Sequence, residues 1–162
     1  MKEELTELLN DCIENGNEAD FKVLKQVLQG VRRKQDEYNG SYIGAALAME
    51  RVTSEDSCEV TIPITPFTYN SLEIVHGGIT ATLVDSAMGT LANILLPEGY
   101  GAVTTNLNIH YLSPGKTGSL TAKAALVHKG SKTLVIDGKV MADDGKTVAH
   151  CTGSFFVVKK RP

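Results

Sequence analysis

One stretch sets the limits on what this chain can fold into. From Ile74 to Pro97 the residues are almost all Leu, Ile, Val, Ala, Thr, Gly and Met, and Asp85 is the sole carboxylate. A segment apolar on every side reads as a buried helix rather than a surface one. It makes a poor membrane span, because an acid near the centre is costly there and Thr, Asn and Gly interrupt the run. Inside a protein an ionisable acid is also costly to bury unless it is paired, hydrogen-bonded or used. Asp85 is therefore the first candidate functional residue, with the Thr82 hydroxyl as an available partner.

The helix opens on His76-Gly77-Gly78, two residues without side chains where its first turn begins. The first amides of a helix lack intrahelical acceptors and carry partial positive charge from the dipole. Glycine lets a ligand oxygen come close to such amides. A carbonyl bound there would be polarised as in an oxyanion hole. The plainer alternative is a glycine turn opening a core helix.

The spacing N-x5-H-G-G-x7-D, here Asn70, His76, Gly77, Gly78 and Asp85, resembles the active-site signature of the hotdog-fold acyl-CoA thioesterases. The nearest likeness is to the phenylacetic-acid-degradation-type subfamily. The segment Asn106 to Gly118 is similar to that subfamily's third strand and the turn after it, and the resemblance runs from about Tyr42 to Val158. It implies a hotdog fold, an antiparallel sheet wrapped around a long central helix, and hydrolysis of a CoA thioester to acid and CoA. Asp85 would be nucleophile or general base, and the Gly77 amide would polarise the carbonyl. Asn70 would orient water or thioester, and Thr104 would offer a hydroxyl to the carboxylate. His76 would either fix the loop or touch the thioester. Gly78 and the turn Lys129, Gly130, Ser131 and Lys132 would meet the pantetheine or nucleotide end, although an exposed lysine-rich hairpin tip reads equally well there. CoA is part of the substrate, so no separate cofactor is implied.

Gly77 and Asp85 lie eight residues apart on one helix, roughly 12 Å at ~1.5 Å per residue. One carbonyl cannot touch both. Two antiparallel copies of the helix related by a two-fold would bring one amide to the other's acid, twice over. We therefore expect a homodimer, or a tetramer of such dimers, with shared sites. Two other readings stand beside this one. A hotdog hydratase or dehydratase would show an Asp-x4-His pattern, which is not found here. A non-catalytic acyl-CoA-binding module has no use for a buried acid.

At 162 residues the chain suits one domain with a real core. A net charge of −3 and no basic stripe interleaved with aromatics give no reason to expect nucleic-acid binding. The acidic start Met1-Lys-Glu-Glu lacks the apolar core of a signal peptide, so a cytoplasmic location is expected. Cys12, Cys58 and Cys151 match neither a disulfide framework nor a zinc spacing, and read as reduced thiols. His110, His128 and His150 lack metal-ligand spacing, so no metal is expected.

Along the chain, Leu5, Leu8, Leu9, Cys12 and Ile13 mark an amphipathic helix ended by Asn15-Gly16. Asn17 caps a second one striped by Phe21, Leu24, Val27, Leu28 and Val31, with Arg32, Arg33 and Lys34 at its end. Residues 1–40 read as an N-terminal helical extension and 41–162 as the hotdog domain, an α+β class. Strand periodicity predicts Ser41 to Val52, then Cys58 to Ile64 with an edge or an end at Pro63. Pro66 to Ser71 is a loop, and Pro97-Glu-Gly99 stops the central helix. Four strands follow: Ala102 to Leu112, Leu120 to His128, Thr133 to Ala142 and Thr147 to Val158. In the first of the four, alternation puts Thr104 with Asn106, Asn108 and His110, opposite Val103, Thr105, Leu107, Ile109 and Tyr111. Lys159, Lys160 and Arg161 read as a solvated tail.

Overall fold

The computed structural model describes residues 1–36 and 40–160; Arg161 of the expected tail lies outside them. Helix α1 spans Lys2–Asn15 and α2 spans Glu18–Gln35. The Asn17 carboxamide accepts from the amides of Ala19 and Asp20, while the Asp20 carboxylate accepts from Asn17 N–H, a reciprocal cap that fixes where α2 starts.

Where one strand from Ser41 to Val52 was expected, the chain makes a short helix α3, Tyr42–Ala46, and only then β1, Glu50–Thr53. The reason lies in capping and in a neighbour. The Ser41 hydroxyl accepts from Gly44 N–H, and α2 docks on α3. Gln26 and Arg33 of α2 donate to the carbonyls of Ala46 and Ala45. Gly30 permits this approach, since a Cβ there would lie 2.6 Å from Ala46 Cα.

Strand β2 (Ser57–Pro63) ends at its proline as expected, and a 3-10 turn, Pro66–Thr68, lies inside the expected loop. Helix α4 is Gly77–Ile94. Strands β3 (Tyr100–Tyr111), β4 (Ser119–Lys129), β5 (Thr133–Ala142) and β6 (Thr147–Lys159) fall close to their expected limits. The sheet order is β1-β2-β4-β5-β6-β3 and every neighbouring pair is antiparallel. This sheet wraps around α4, as a hotdog fold requires.

One face of α4 supplies Leu83, Val84, Ala87, Met88 and Leu91 to the core, against Ile62, Leu120, Ile136 and Phe155 of the sheet. Gly138 of β5 leaves room for the helix, because a Cβ there would meet Val84 at 2.6 Å. The opposite face of α4 is not buried. Thr82, Asp85, Ser86, Gly89 and Thr90 are half-buried and Asn93 is exposed. Expectation and structure thus differ on Asp85. The helix is apolar enough to look buried all round, but the residues that face outward are small rather than charged.

Candidate active site

The N-terminus of α4 is built so that one amide is left over. The His76 carbonyl accepts from Ile79 and Thr80 N–H at 2.9 and 3.2 Å. The His76 side chain caps the helix, its Nδ1 accepting from Gly78 N–H at 2.9 Å. Of the first turn only the Gly77 N–H has no acceptor among the described residues. Because Nδ1 accepts, a neutral His76 carries its proton on Nε2, which points away from the cap. The loop ahead is tied down as well. His76 N–H donates to Thr68 O, and Asn70 Oδ1 accepts from Leu72 N–H at 2.8 Å and Ile74 N–H at 3.4 Å. The Asn70 oxygen is thereby committed to its own loop, and the Nδ2 group is the end left to donate.

Tyr111, at the far end of β3, completes this corner and was not singled out in the sequence. Its hydroxyl donates to Gly77 O at 2.9 Å, and its ring lies 3.4 to 3.5 Å from where a Gly77 Cβ would be. No local motif announces it, since the contact joins residues 34 apart.

The second half of the site lies two turns along α4. The Thr104 hydroxyl donates to Asp85 Oδ1 at 2.9 Å, leaving Oδ2 without a hydrogen-bond partner among the described residues. Thr82 is not the partner, because its hydroxyl donates to Gly78 O instead. The alternation expected for β3 put Thr104 on the wrong side. A bulge between Thr104 and Asn106 inserts Thr105 as an extra residue against β6, so the pairs run Thr104 with Phe155, then Asn106 with Ser154. Thr104 now faces α4 along with Leu107, Ile109 and Tyr111, while Asn106, Asn108 and His110 face away. Bulges re-aim side chains in just this manner beside functional sites.

From Asp85 an open groove of about 520 Å³ follows the outer face of α4 past Ser86, Gly89 and Thr90, with Arg51 of β1 on its far wall. The Lys129 to Lys132 turn stands at the other end of the helix from Gly77. Lys129 Nζ donates to Leu95 O at 2.6 Å, which suits the negative C-terminal end of α4. Gly130 N–H closes the turn on Thr133 O, and Lys132 O accepts from Val157 N–H, so Ser131 and Lys132 are held at an exposed tip.

Neither buried cysteine is a nucleophile. Burial raises the Cys58 thiol, and burial with the nearby Asp137 charge raises that of Cys151 to about 11. No cluster of metal-ligating side chains occurs among the described residues, and no described helix is long and apolar enough to cross a membrane.

Comparison with known proteins bears on the fold and the family. A family model described as thioesterase superfamily matches residues 72–149. Acyl-coenzyme A thioesterase PaaI of Escherichia coli is 31% identical over 118 residues, covering 72% of this chain and 82% of that one. Mouse acyl-coenzyme A thioesterase 13 is 43% identical over 65 residues, 40% of this chain. The chain spans less than two thirds of the length of several curated relatives it matches, 46% for the mouse protein. A Bacillus halodurans protein crystallised with CoA superposes with a TM-score of 0.85 at 45% identity, covering 91% of this chain and 98% of that one. The chain belongs to the thioesterase superfamily, in its branch of hotdog-fold acyl-CoA thioesterases.

Proposed function

We propose that this protein hydrolyses acyl-CoA thioesters at a site assembled from two subunits. The observation that carries the reading is the unpaired Gly77 amide at the start of α4, on the same helix as the Thr104-held carboxylate of Asp85. A thioester carbonyl gains negative charge as it is attacked, and a fixed N–H aimed at that oxygen stabilises the transition state more than the ground state. An idle acyl-CoA binder has no use for that pairing of donor and acid.

The separation of roughly 12 Å along the helix supports placing the two groups on different subunits. One subunit presents Gly77, His76 and the Asn70 amide, and the other presents Asp85 and Thr104. Antiparallel pairing of two α4 helices also brings the Lys129 to Lys132 tip of one subunit toward the Gly77 end of the other. Gly78, Gly130, Ser131 and Lys132 there suit a phosphate-bearing CoA, and the CoA bound by the Bacillus halodurans protein supports that ligand class. Lys129, though engaged with Leu95, keeps two further N–H donors.

Asp85 Oδ2 either attacks the carbonyl carbon, expelling CoA thiolate and leaving an anhydride for water to open, or takes a proton from the water that attacks. Both routes end in free acid and CoA. The deciding experiment is a thiol-release assay over a panel of CoA thioesters, run beside Asp85→Asn. The substitution keeps the Thr104 contact and the shape, so the fold should persist while turnover falls at least ~10²-fold. A folded Asp85→Asn protein with full turnover would refute the assignment.

A further inference from the structure

We propose that the α1–α2 hairpin is a self-association surface, through which two copies of this chain join in a four-helix bundle. Helix α1 buries no residue at all. Its apolar stripe stands in the open, with Leu5 64%, Leu8 60% and Ile13 53% exposed. Helix α2 carries two apolar faces. Val23 and Val27 are half-buried and Gly30 meets Ala46 of α3, while Phe21, Leu28 and Val31 stay exposed and form a second stripe with the half-buried Leu24. Between the two helices lies an apolar groove lined by Leu9, Ile13, Phe21, Leu24 and Leu28. A helix of 14 residues that buries none of them fully, with only Leu9 and Cys12 half-buried, is marginal in water, since helices in proteins owe most of their stability to packing. Something must cover this one.

Charge identifies the occupant. The polar side of α1 carries Glu3, Glu4, Glu7, Asp11 and Glu14 against Lys2 alone, and so repels an anionic lipid surface. Helix α2 has the opposite sign past its first turn: Lys22, Lys25, Arg32, Arg33 and Lys34. The match extends to spacing. Glu4 and Asp11 flank Leu8 on α1, Lys25 and Arg32 flank Leu28 on α2, and the members of each pair are seven residues apart. A second copy laid antiparallel on the hairpin sets Glu4 against Arg32 and Asp11 against Lys25 with the leucines between them. A two-fold repeats the set. Flanking charges of this kind choose the partner in paired helices.

The hairpin attaches through α3 and the 3-10 turn beside β1 and β2, at the end of the sheet opposite β3. Pairing there doubles whatever unit the thioester site forms. The test is light scattering on size-exclusion chromatography of the full chain, at one concentration. We expect Leu5→Asp/Leu8→Asp, Glu4→Lys/Asp11→Lys and Lys25→Glu/Arg32→Glu each to run at half the wild-type mass. Their circular dichroism melts should keep the main transition of the sheet and α4, because the changed residues lie outside the core, while the helical signal of the uncovered α1 falls. Mixing the two charge-reversed variants should restore the full mass, since each then meets its complement. Wild-type mass in the leucine variant, or a mixture that stays at half mass, overturns the proposal and points to a different partner. Mass is read without substrate, so this outcome is independent of the catalytic assay.

Discussion

Tyr111 bears on the residue scale because it touches the reaction at one remove. Its hydroxyl holds the carbonyl of Gly77, and so fixes the first peptides of α4 against β3. A neutral hydrogen bond contributes on the order of 1 kcal/mol. Tyr111→Phe, which keeps the ring, should therefore lower kcat by about fivefold while KM stays near wild type and the melting temperature falls by a few degrees. An unchanged kcat would reduce Tyr111 to a packing residue. At this scale the sequence was informative about identity, and the one contact expected, Thr104 with Asp85, came from the family resemblance. Asn70, His76, Gly77 and Asp85 stand in a spaced motif that can be read directly. Tyr111 meets Gly77 only because β3 folds back along α4, and nothing local records that. The burial expected for Asp85 failed for a related reason, since small residues such as Gly89 and Ser86 resemble core in a sequence while forming an open face.

Among the elements, α4 carries the largest share of the proposed chemistry and its first turn can be tested alone. Gly77→Pro deletes the unpaired N–H, and proline is tolerated at a first helical position. Gly77→Ala keeps the amide, and its Cβ would make an ordinary contact with Tyr111 at 3.4 Å. Alanine should cost little, whereas proline should cost about 10²–10³ in turnover, the usual effect of losing an oxyanion donor. Equal rates from the two, with oligomers intact by gel filtration, would move carbonyl polarisation elsewhere. The long elements were legible because their periods are strong: α2, α4 and β4 to β6 fall within a few residues of expectation. The short ones were not. Residues 42–46 carry enough apolar character to suggest a strand, and the Ser41 cap together with docking against Gly30 of α2 makes them helical.

For the molecule as a whole, the proposed shared site makes a prediction no single chain can satisfy. Asp85→Ala should be inactive. Asn70→Asp should be nearly so, because it keeps the loop-closing oxygen of Asn70 but loses the Nδ2 donor. Mixed subunits should recover activity, since each heterodimer then holds one intact site. If exchange is verified by mass and activity stays absent, each subunit works alone. The single strand β3 grips both half-sites of its own subunit, Thr104 at Asp85 and Tyr111 at Gly77. Those two residues are seven positions apart, an odd number, and in an unbroken strand odd separations point to opposite faces. On the partner strand β6 the matching positions, Phe155 and Ala149, are six apart and even. The parity of β3 is therefore part of the machinery. The identity of the side chain at 105 matters less than the fact that the position is counted, because removing it would turn one of the two grips to the outer surface with every motif residue still in place.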